Sequence, residues 1–563
     1  MDAPPLVFTN RSWRSTAKRS NHWSDPGPNF KDTAWAAADS LGPVEGNVDC
    51  FQWSADAGMY GWPGYMGMSP WLRVCRLAPH EISHIYPGAE HFNHIASLTS
   101  LESVPAASTN AAGPADPPFS VSLPSAAPAD AEAPSLLLDF GREVAGRLFV
   151  ESASDRDALL SIASGESELE AIATGLAPGN RGGNYLGTNL LEVAANGIAR
   201  GPKSAFRYVR IRFLRGAPLA AFKSIRLEGI YYPVVAAGSF ESSDPLLNRI
   251  WQSGAYTAHL CMQDGIWDAP KRDRGRWVGD LDVEGRVIST AFGDSFLMED
   301  TLRRLVDGTP ETQHVNGIPG YTALWVTSLW NLYQHAGDKA FIVSQHENLL
   351  RLLARMDRDV DPKTHVLSTS PAGWGFVDWA PNLFGNTPDT RIGTDLQYIR
   401  AFREGAQLLR EANDLQNSNR YADRAKTLIA AAQAAYLAPA SSTVGSTWQL
   451  NALAVLDGVG VPASRATDNP IWTEVLSRVK QDSPTDQVVS PYFGAYILDA
   501  MASLNHSAEA LAWIRTYWGG MLAEGATTLW ESYDLHWPIG GSPLRWVLRL
   551  LFARYTVQWN LHD

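Results

Sequence analysis

Cysteine is scarce in this chain: Cys50, Cys75 and Cys261 are the only three among 563 residues. An odd, scattered set with no C-x-x-C pair and no Cys/His cluster excludes a disulfide framework and indicates no structural zinc. It fits a reducing compartment. The opening segment, MDAPPLVFTNRSW, has neither a basic stretch nor an apolar run of signal-peptide length, so a cytoplasmic location is expected. Nowhere do about 20 apolar residues run uninterrupted, so no membrane partner is expected. Runs of basic residues are missing too: 46 Lys and Arg stand against 59 Asp and Glu, a formal net charge of -13. Such a field repels phosphate backbones, so nucleic acid is not an expected partner. The Gly-rich GNRGGNYLG stretch lacks the strand and helix context of a phosphate loop, and the scattered Ser, His and Asp residues form no nucleophile elbow. No Asp/Asn-rich loop has calcium spacing. No metal and no cofactor are therefore expected.

Aromatic residues, by contrast, are plentiful: 21 Trp, 18 Tyr and 19 Phe. Many stand beside Gly, Pro, Asp or Asn rather than in apolar stripes. Sugar-binding clefts need flat apolar faces next to hydrogen-bonding groups, and aromatic side chains supply both. A large core with generous Trp is the alternative reading.

The length implies several units at roughly 100–200 residues each. Residues 1–100 read as a short, turn-rich, irregular or β-rich region. Residues 101–135 are dominated by Ala, Pro and Ser and read as a flexible loop or linker. Over 136–237, SLLLDFG, RLFVESAS, ALLSIASGES, FRYVRIRFLRG and SIRLEGIYY alternate apolar and polar residues, which predicts an antiparallel β-sandwich. From 238 to 563 the period lengthens to that of a helix. Helices are predicted near 244–263, 278–292, 294–306, 321–336, 340–357, 394–414, 418–436, 446–456, 470–481, 491–503, 506–518 and 543–556. Twelve helices in sequence make six hairpins, which can close into a two-layered α/α barrel around a central pocket. The expected class is a multidomain α+β chain, a β-sandwich followed by a catalytic (α/α)6 barrel.

The densest polar stretch, Gln263 to Asp280, holds four Asp, three Arg, one Lys and two Trp between two helical segments. Carboxylates of different pKa, cations to orient them and aromatic walls are the ingredients of an active-site loop. A salt-bridged surface loop is the bland reading of the same residues. Asp268, Pro270, Arg272, Asp273, Trp277, Gly279 and Asp280 match D-x-P-x-R-[DE]-x-x-x-W-x-G-D, which resembles the signature of α-L-rhamnosidases of glycoside hydrolase family 78. Other landmarks follow in the family's order: Asp139-Phe140-Gly141-Arg142, Phe206-Arg207-Tyr208-Val209-Arg210, Gly238-Ser239-Phe240, Pro319-Gly320-Tyr321, Asp378-Trp379, and Gly525 to Glu531. The resemblance covers roughly residues 135–538.

It implies removal of a terminal α-L-rhamnose by water with inversion at the anomeric carbon, from plant glycosides or rhamnose-containing polysaccharides, by a monomer or homodimer. Asp273 would be the general acid and Glu531 the general base, their carboxyls about 6.5–9.5 Å apart to admit the water. Many members carry Glu in place of Asp273, and a subset shares the K-R-D-R run. Asp268 and Asp280 would accept bonds from sugar hydroxyls. Arg272 would hold one of those carboxylates, and Trp277, Trp325, Trp379 and Trp530 would pack the methyl and the apolar face of the deoxy sugar. Asp378 would bind from a turn-rich loop. Past Trp537-Pro538 the family's sugar-binding His is not identifiable, and the run over 543–556 reads either as a basic amphipathic helix that closes the barrel or as an atypical, truncated end. Two alternatives stay open: a hydrolase for another 6-deoxy sugar, and a non-catalytic carbohydrate-binding protein with a decayed barrel.

Overall fold

The computed structural model describes residues 71–86, 89–99, 118–123, 133–173, 188–271, 274–437, 442–445, 447–460, 469–478 and 489–533, together with two short paired strands, β1 (Arg14–Ser15) and β2 (Ala36–Ala37). The predicted helix over 543–556 lies outside the described residues.

Ten strands form one antiparallel sheet: β3 (Arg73–Leu77), β4 (Glu81–Tyr86), β5 (Phe92–Asn93), β6 (Phe119–Ser122), β7 (Ser135–Ser152), β8 (Ala158–Gly165), β9 (Thr188–Val193), β10 (Ile198–Arg200), β11 (Ser204–Arg215) and β12 (Leu219–Tyr231). The short helix α1 (Glu168–Ala173) follows β8. β7 organises the sheet because both of its edges are covered: β4 and β11 flank its first half, and β12 and β10 its second. That explains its almost unbroken apolar run, since a strand covered on its faces and paired on both edges has few positions facing water. Phe119, Phe213 and Phe222 pack ring against ring at 5.5–6.2 Å in the core beneath it. Each fully buried Phe side chain contributes about 1.5–3 kcal/mol.

Two of the predicted boundaries give way. β3 and β4 pair with β12 and β7, so residues 73–86 belong to the same sheet as 136–237 rather than to a separate N-terminal unit. Within the predicted 101–135 linker, Phe119–Ser122 is a strand on β12, because Phe119 and Val121 insert fully into the core. The short apolar run is masked in the sequence by the Ala, Pro and Ser around it.

The remaining elements are helices: α2 (Pro245–Cys261), α3 (Val278–Ala291), α4 (Phe296–Asp307), α5 (Pro319–Ala336), α6 (Lys339–Ser344), α7 (His346–Asp359), α8 (Pro388–Glu411), α9 (Leu415–Tyr436), α10 (Trp448–Leu456), α11 (Pro491–Ser503) and α12 (Ser507–Ala523). Several starts are written in the sequence as a capping residue followed by proline. Asp244, Thr387 and Ser490 accept from backbone N–H groups of the first turn, and Pro245, Pro388 and Pro491 follow them. The predicted helix over 340–357 is broken at Ser344–Gln345, and the described part of the one over 470–481 is a π turn, Ile471–Val475, followed by a 3-10 turn, Leu476–Arg478. α3 packs on α5, α5 on α8, α8 on α10, α10 on α11, and α11 back on α3. α2, α4, α7, α9 and α12 lie against members of that ring.

Candidate active site

Between α2 and α3 the chain doubles back on itself. The Trp267 N–H donates to the Cys261 carbonyl at 3.0 Å, and the Ile266 N–H to Thr301 Oγ1 at 3.0 Å. Asp268 and Gly275 close the far end with two bonds: the Asp268 N–H donates to the Gly275 carbonyl at 3.0 Å, and Asp268 Oδ1 accepts the Gly275 N–H at 2.9 Å. Arg276 lies over Gly265, where a Cβ would stand 2.3 Å from its Nε, and donates to the Asp264 carbonyl at 2.8 Å. Trp277 offers α3 no capping side chain. Asn316 does so instead, accepting the Val278 N–H at 3.1 Å and donating to the Arg276 carbonyl at 3.1 Å. Arg272 and Asp273 lie outside the described residues, and with them the separation of the two proposed catalytic carboxyls.

Tyr321, at the start of α5, is the meeting point. Its ring takes the edge of Trp277 at 6.2 Å and of Phe376 at 6.0 Å, and Gly279 leaves the space its phenol fills. Burial pushes the phenol well above its usual range, and the charges of Asp280, Asp268 and Glu531 push the same way, with Tyr492 from α11 also contributing. Glu531 thus acts on the same phenol as two signature carboxylates, although its segment is some 250 positions further along the chain.

The segment carrying Glu531 is held from both units. The Glu143 N–H, in the sheet, donates to Thr527 Oγ1 at 3.0 Å, and the Leu529 N–H donates to Thr257 Oγ1 of α2 at 2.9 Å. The same stretch of β7 is fixed by the bidentate pair of Asp139 with Arg207, at 2.8 and 2.7 Å, which joins two of the sequence landmarks. Gly141 turns there at φ 80°, a conformation that favours glycine. Arg142 then lies 4.5 Å over the Tyr256 ring, whose hydroxyl donates to the Glu143 carbonyl at 2.5 Å. Glu531 itself is exposed.

A family model described as the bacterial alpha-L-rhamnosidase 6 hairpin glycosidase domain matches residues 235–542, more than half of the chain. The chain belongs to this family. An α-L-rhamnosidase of Streptomyces avermitilis is 25% identical over 354 residues, which are 60% of this chain and 33% of that protein. Among solved structures, a rhamnosidase from Klebsiella oxytoca with rhamnose bound is 24% identical with a TM-score of 0.61, over 71% of this chain and 82% of that one. A family 78 rhamnosidase of Bacillus sp. GL1 is 22% identical with a TM-score of 0.61, over 71% and 43%. The chain therefore spans about a third of the Streptomyces relative and less than half of the Bacillus one.

Within this rhamnosidase-family chain, two predicted sugar contacts need correction. Trp325 is 0% exposed, its indole N–H donating to the Leu302 carbonyl at 2.9 Å. Most of α5 is buried, and Trp325 faces α4 rather than a cleft. Asp378 is also 0% exposed, accepting from Gln449 Nε2 at 2.7 Å, the Trp379 N–H at 2.8 Å and the Ser490 hydroxyl. Its carboxylate ties the Trp374–Trp379 loop to α10 and to the cap of α11, which leaves nothing of it facing solvent. The other predicted walls stay available. Trp379 is 36% exposed at the end of an aromatic cluster with Trp374, Phe376 and Phe384, and Trp277 and Trp530 are partly buried. Asp280 is partly buried in the first turn of α3.

Sequence reasoning assigned no role to Tyr321, Tyr492 or Glu284. Glu284 lies one turn after Asp280 on α3, and burial, then Asp280, and to a lesser degree Asp268, hold its carboxyl well above the usual range, opposed by a bond from Cys261. A carboxyl four residues beyond a site Asp on the same helix was the available signal. Among the described residues, no group of three or more His, Cys, Asp and Glu side chains is arranged to hold a metal ion, and no helix is long and apolar enough to cross a membrane.

Proposed function

We propose that this chain is an inverting, exo-acting α-L-rhamnosidase built on an (α/α)6 barrel, with Glu531 as general base and Asp273 as general acid. The ring of α3, α5, α8, α10 and α11, backed by an outer layer, supports the barrel. The observation that supports this reading is the tethering of the Glu531 segment to α2, the helix that runs into the Gln263–Asp280 loop: the Leu529 N–H donates to Thr257 Oγ1 at 2.9 Å. An exposed carboxyl such as that of Glu531 is within reach of solvent, as the activation of a water molecule requires. Asp268 and Asp280 would accept from the sugar hydroxyls as charged acceptors, which make the stronger hydrogen bonds. Trp277, Trp530 and Trp379 would offer the apolar surface that a C6 methyl requires. The rhamnose in the Klebsiella structure makes that deoxy sugar the first substrate to test.

The test is hydrolysis of para-nitrophenyl α-L-rhamnopyranoside with the anomer of the released sugar followed by NMR. The β-anomer should appear first, and Glu531→Gln and Asp273→Asn should each lower kcat by about 10²–10⁴-fold, the usual contribution of an acid or base, while the variants stay folded. The α-anomer appearing first would refute inversion. No release from this or from natural rhamnosides by folded protein, with rhamnosides still bound, would replace the enzyme reading with a carbohydrate-binding one.

A further inference from the structure

Lys271 stands two positions before Asp273, yet its side chain leaves the helical unit. Its ammonium donates to Glu166 Oε1 at 2.8 Å and to Glu170 Oε1 at 2.5 Å, both in the segment that follows β8. Its side chain is 11% exposed and that of Glu170 0%, so removing one partner leaves the other charged and buried. Glu170 is itself fixed, because its second oxygen accepts the Glu166 N–H at 2.7 Å. A third carboxyl, Glu143, belongs to the same cluster: burial and the charge of Glu166 raise it well above the usual range, and Lys271 opposes them. Burial works against the ammonium, but Glu166, Glu170 and Glu143 together hold Lys271 protonated. On the other side, Arg274 Nη1 donates to the Lys203 carbonyl at 3.2 Å. The residues that flank positions 272 and 273 are thus both tied to the sheet unit.

We infer that Lys271 is a positioning residue for proton donation: clamped between Glu166 and Glu170, it makes the β-sheet unit the support from which the acid-bearing stretch is aimed. A surface loop needs no such anchor, because a solvated lysine already satisfies its charge. The inference rests on the reading of Asp273 as general acid, and the substrate choice separates the two. A departing oxygen needs a proton in proportion to its basicity, so misplacing the acid penalises a methyl rhamnoside and spares a dinitrophenyl rhamnoside.

The test compares intact wild-type chain with Lys271→Met, Lys271→Arg and the double variant Glu166→Gln/Glu170→Gln on both substrates. Lys271→Met and the double variant should lose about 10²-fold or more in kcat/KM on methyl α-L-rhamnopyranoside, the scale of a general acid's contribution, and stay near wild type on the dinitrophenyl glycoside. Lys271→Arg should recover most of the loss. Equal losses on both substrates would mean that Lys271 only holds the units together and would overturn the inference. Hydrogen exchange read over 262–277 gives a second measure that needs no turnover. Faster exchange there in Lys271→Met supports the clamp even if wild type hydrolyses neither glycoside, an outcome that would refute the hydrolase reading alone. Unchanged exchange overturns the clamp.

Discussion

Gly279→Ala sets two effects of opposite sign against each other, and the structure decides which wins. Gly279 lies in the first turn of α3, and a Cβ there would stand 2.6 Å from Tyr321 Oη, 2.7 Å from Cζ and 2.8 Å from Cε1. Alanine improves on glycine inside a helix by about 1 kcal/mol, and by less at its first turn. Overpacking a rigid ring costs about 1–3 kcal/mol. Tyr321 cannot swing aside, because it is buried with the edges of Trp277 and Phe376 on it. Net destabilisation of about 1–2 kcal/mol follows. The kinetic effect should be larger, since Tyr321 packs on Trp277 and Gly279 of the signature stretch, and shifting site groups by about 1 Å costs on the order of 10²-fold. Gly285→Ala is the control: on the same helix, its nearest obstacle at 2.5 Å is the terminal methyl of Met298, which a flexible side chain can withdraw. Urea unfolding and kcat/KM on para-nitrophenyl α-L-rhamnopyranoside, measured on both variants, give the answer. A Gly279→Ala protein as stable as wild type or more so, with undiminished kcat/KM, would refute the packing argument.

Two further predictions probe burial. Asp457 is fully buried, neither of its oxygens takes a hydrogen bond, and burial lifts its carboxyl to about 8, against the pull of Arg400 and Arg403. A carboxyl raised in the folded state favours folding at low pH, so its contribution should be lost as pH rises from the unfolded carboxylate range, about 4, towards 8, at up to about 1.4 kcal/mol per pH unit. Asp457→Asn should flatten that part of the profile of urea midpoint against pH, and an unchanged slope would count against a protonated Asp457. Thr527→Val leaves the Glu143 N–H without its acceptor at a residue 6% exposed, which should cost about 1–3 kcal/mol. Because Thr527 lies four positions before Glu531, kcat should fall with it, while kcat at the wild-type level would show that the sheet does not brace this segment.

The helices were legible because their starts combine a capping side chain with proline, as at Asp244-Pro245 and Ser490-Pro491, and because their apolar spacing is long enough to average out. Short strands were not. Phe119–Ser122 offers four residues of signal, and what makes it a strand is a partner, Leu219–Phe222, about 100 positions away. The same asymmetry runs through the site. Asp268, Trp277, Gly279 and Asp280 could be singled out in the sequence because their spacing is local. Trp325 and Asp378 were misread because residue type does not say which side of a helix or loop faces the core. Tyr321 stood in a quoted landmark without a role, since its importance comes from neighbours contributed by α3, α11 and the 525–533 segment.

Those distances along the chain also say why a sheet is needed at all. The 262–277 loop and the 525–533 segment each end a helix and would each be free to move as loops do. The sheet unit reaches both: Glu166 and Glu170 take Lys271 on one side, and Glu143 meets Thr527 on the other. Glu143 closes the link, because its backbone holds the segment of Glu531 while its carboxyl shares the charge cluster of Lys271. Asp139, Gly141 and Arg207 hold that stretch of β7 in shape. Displacing the β7 turn should therefore disturb both segments together, whereas a change on either segment alone should disturb one.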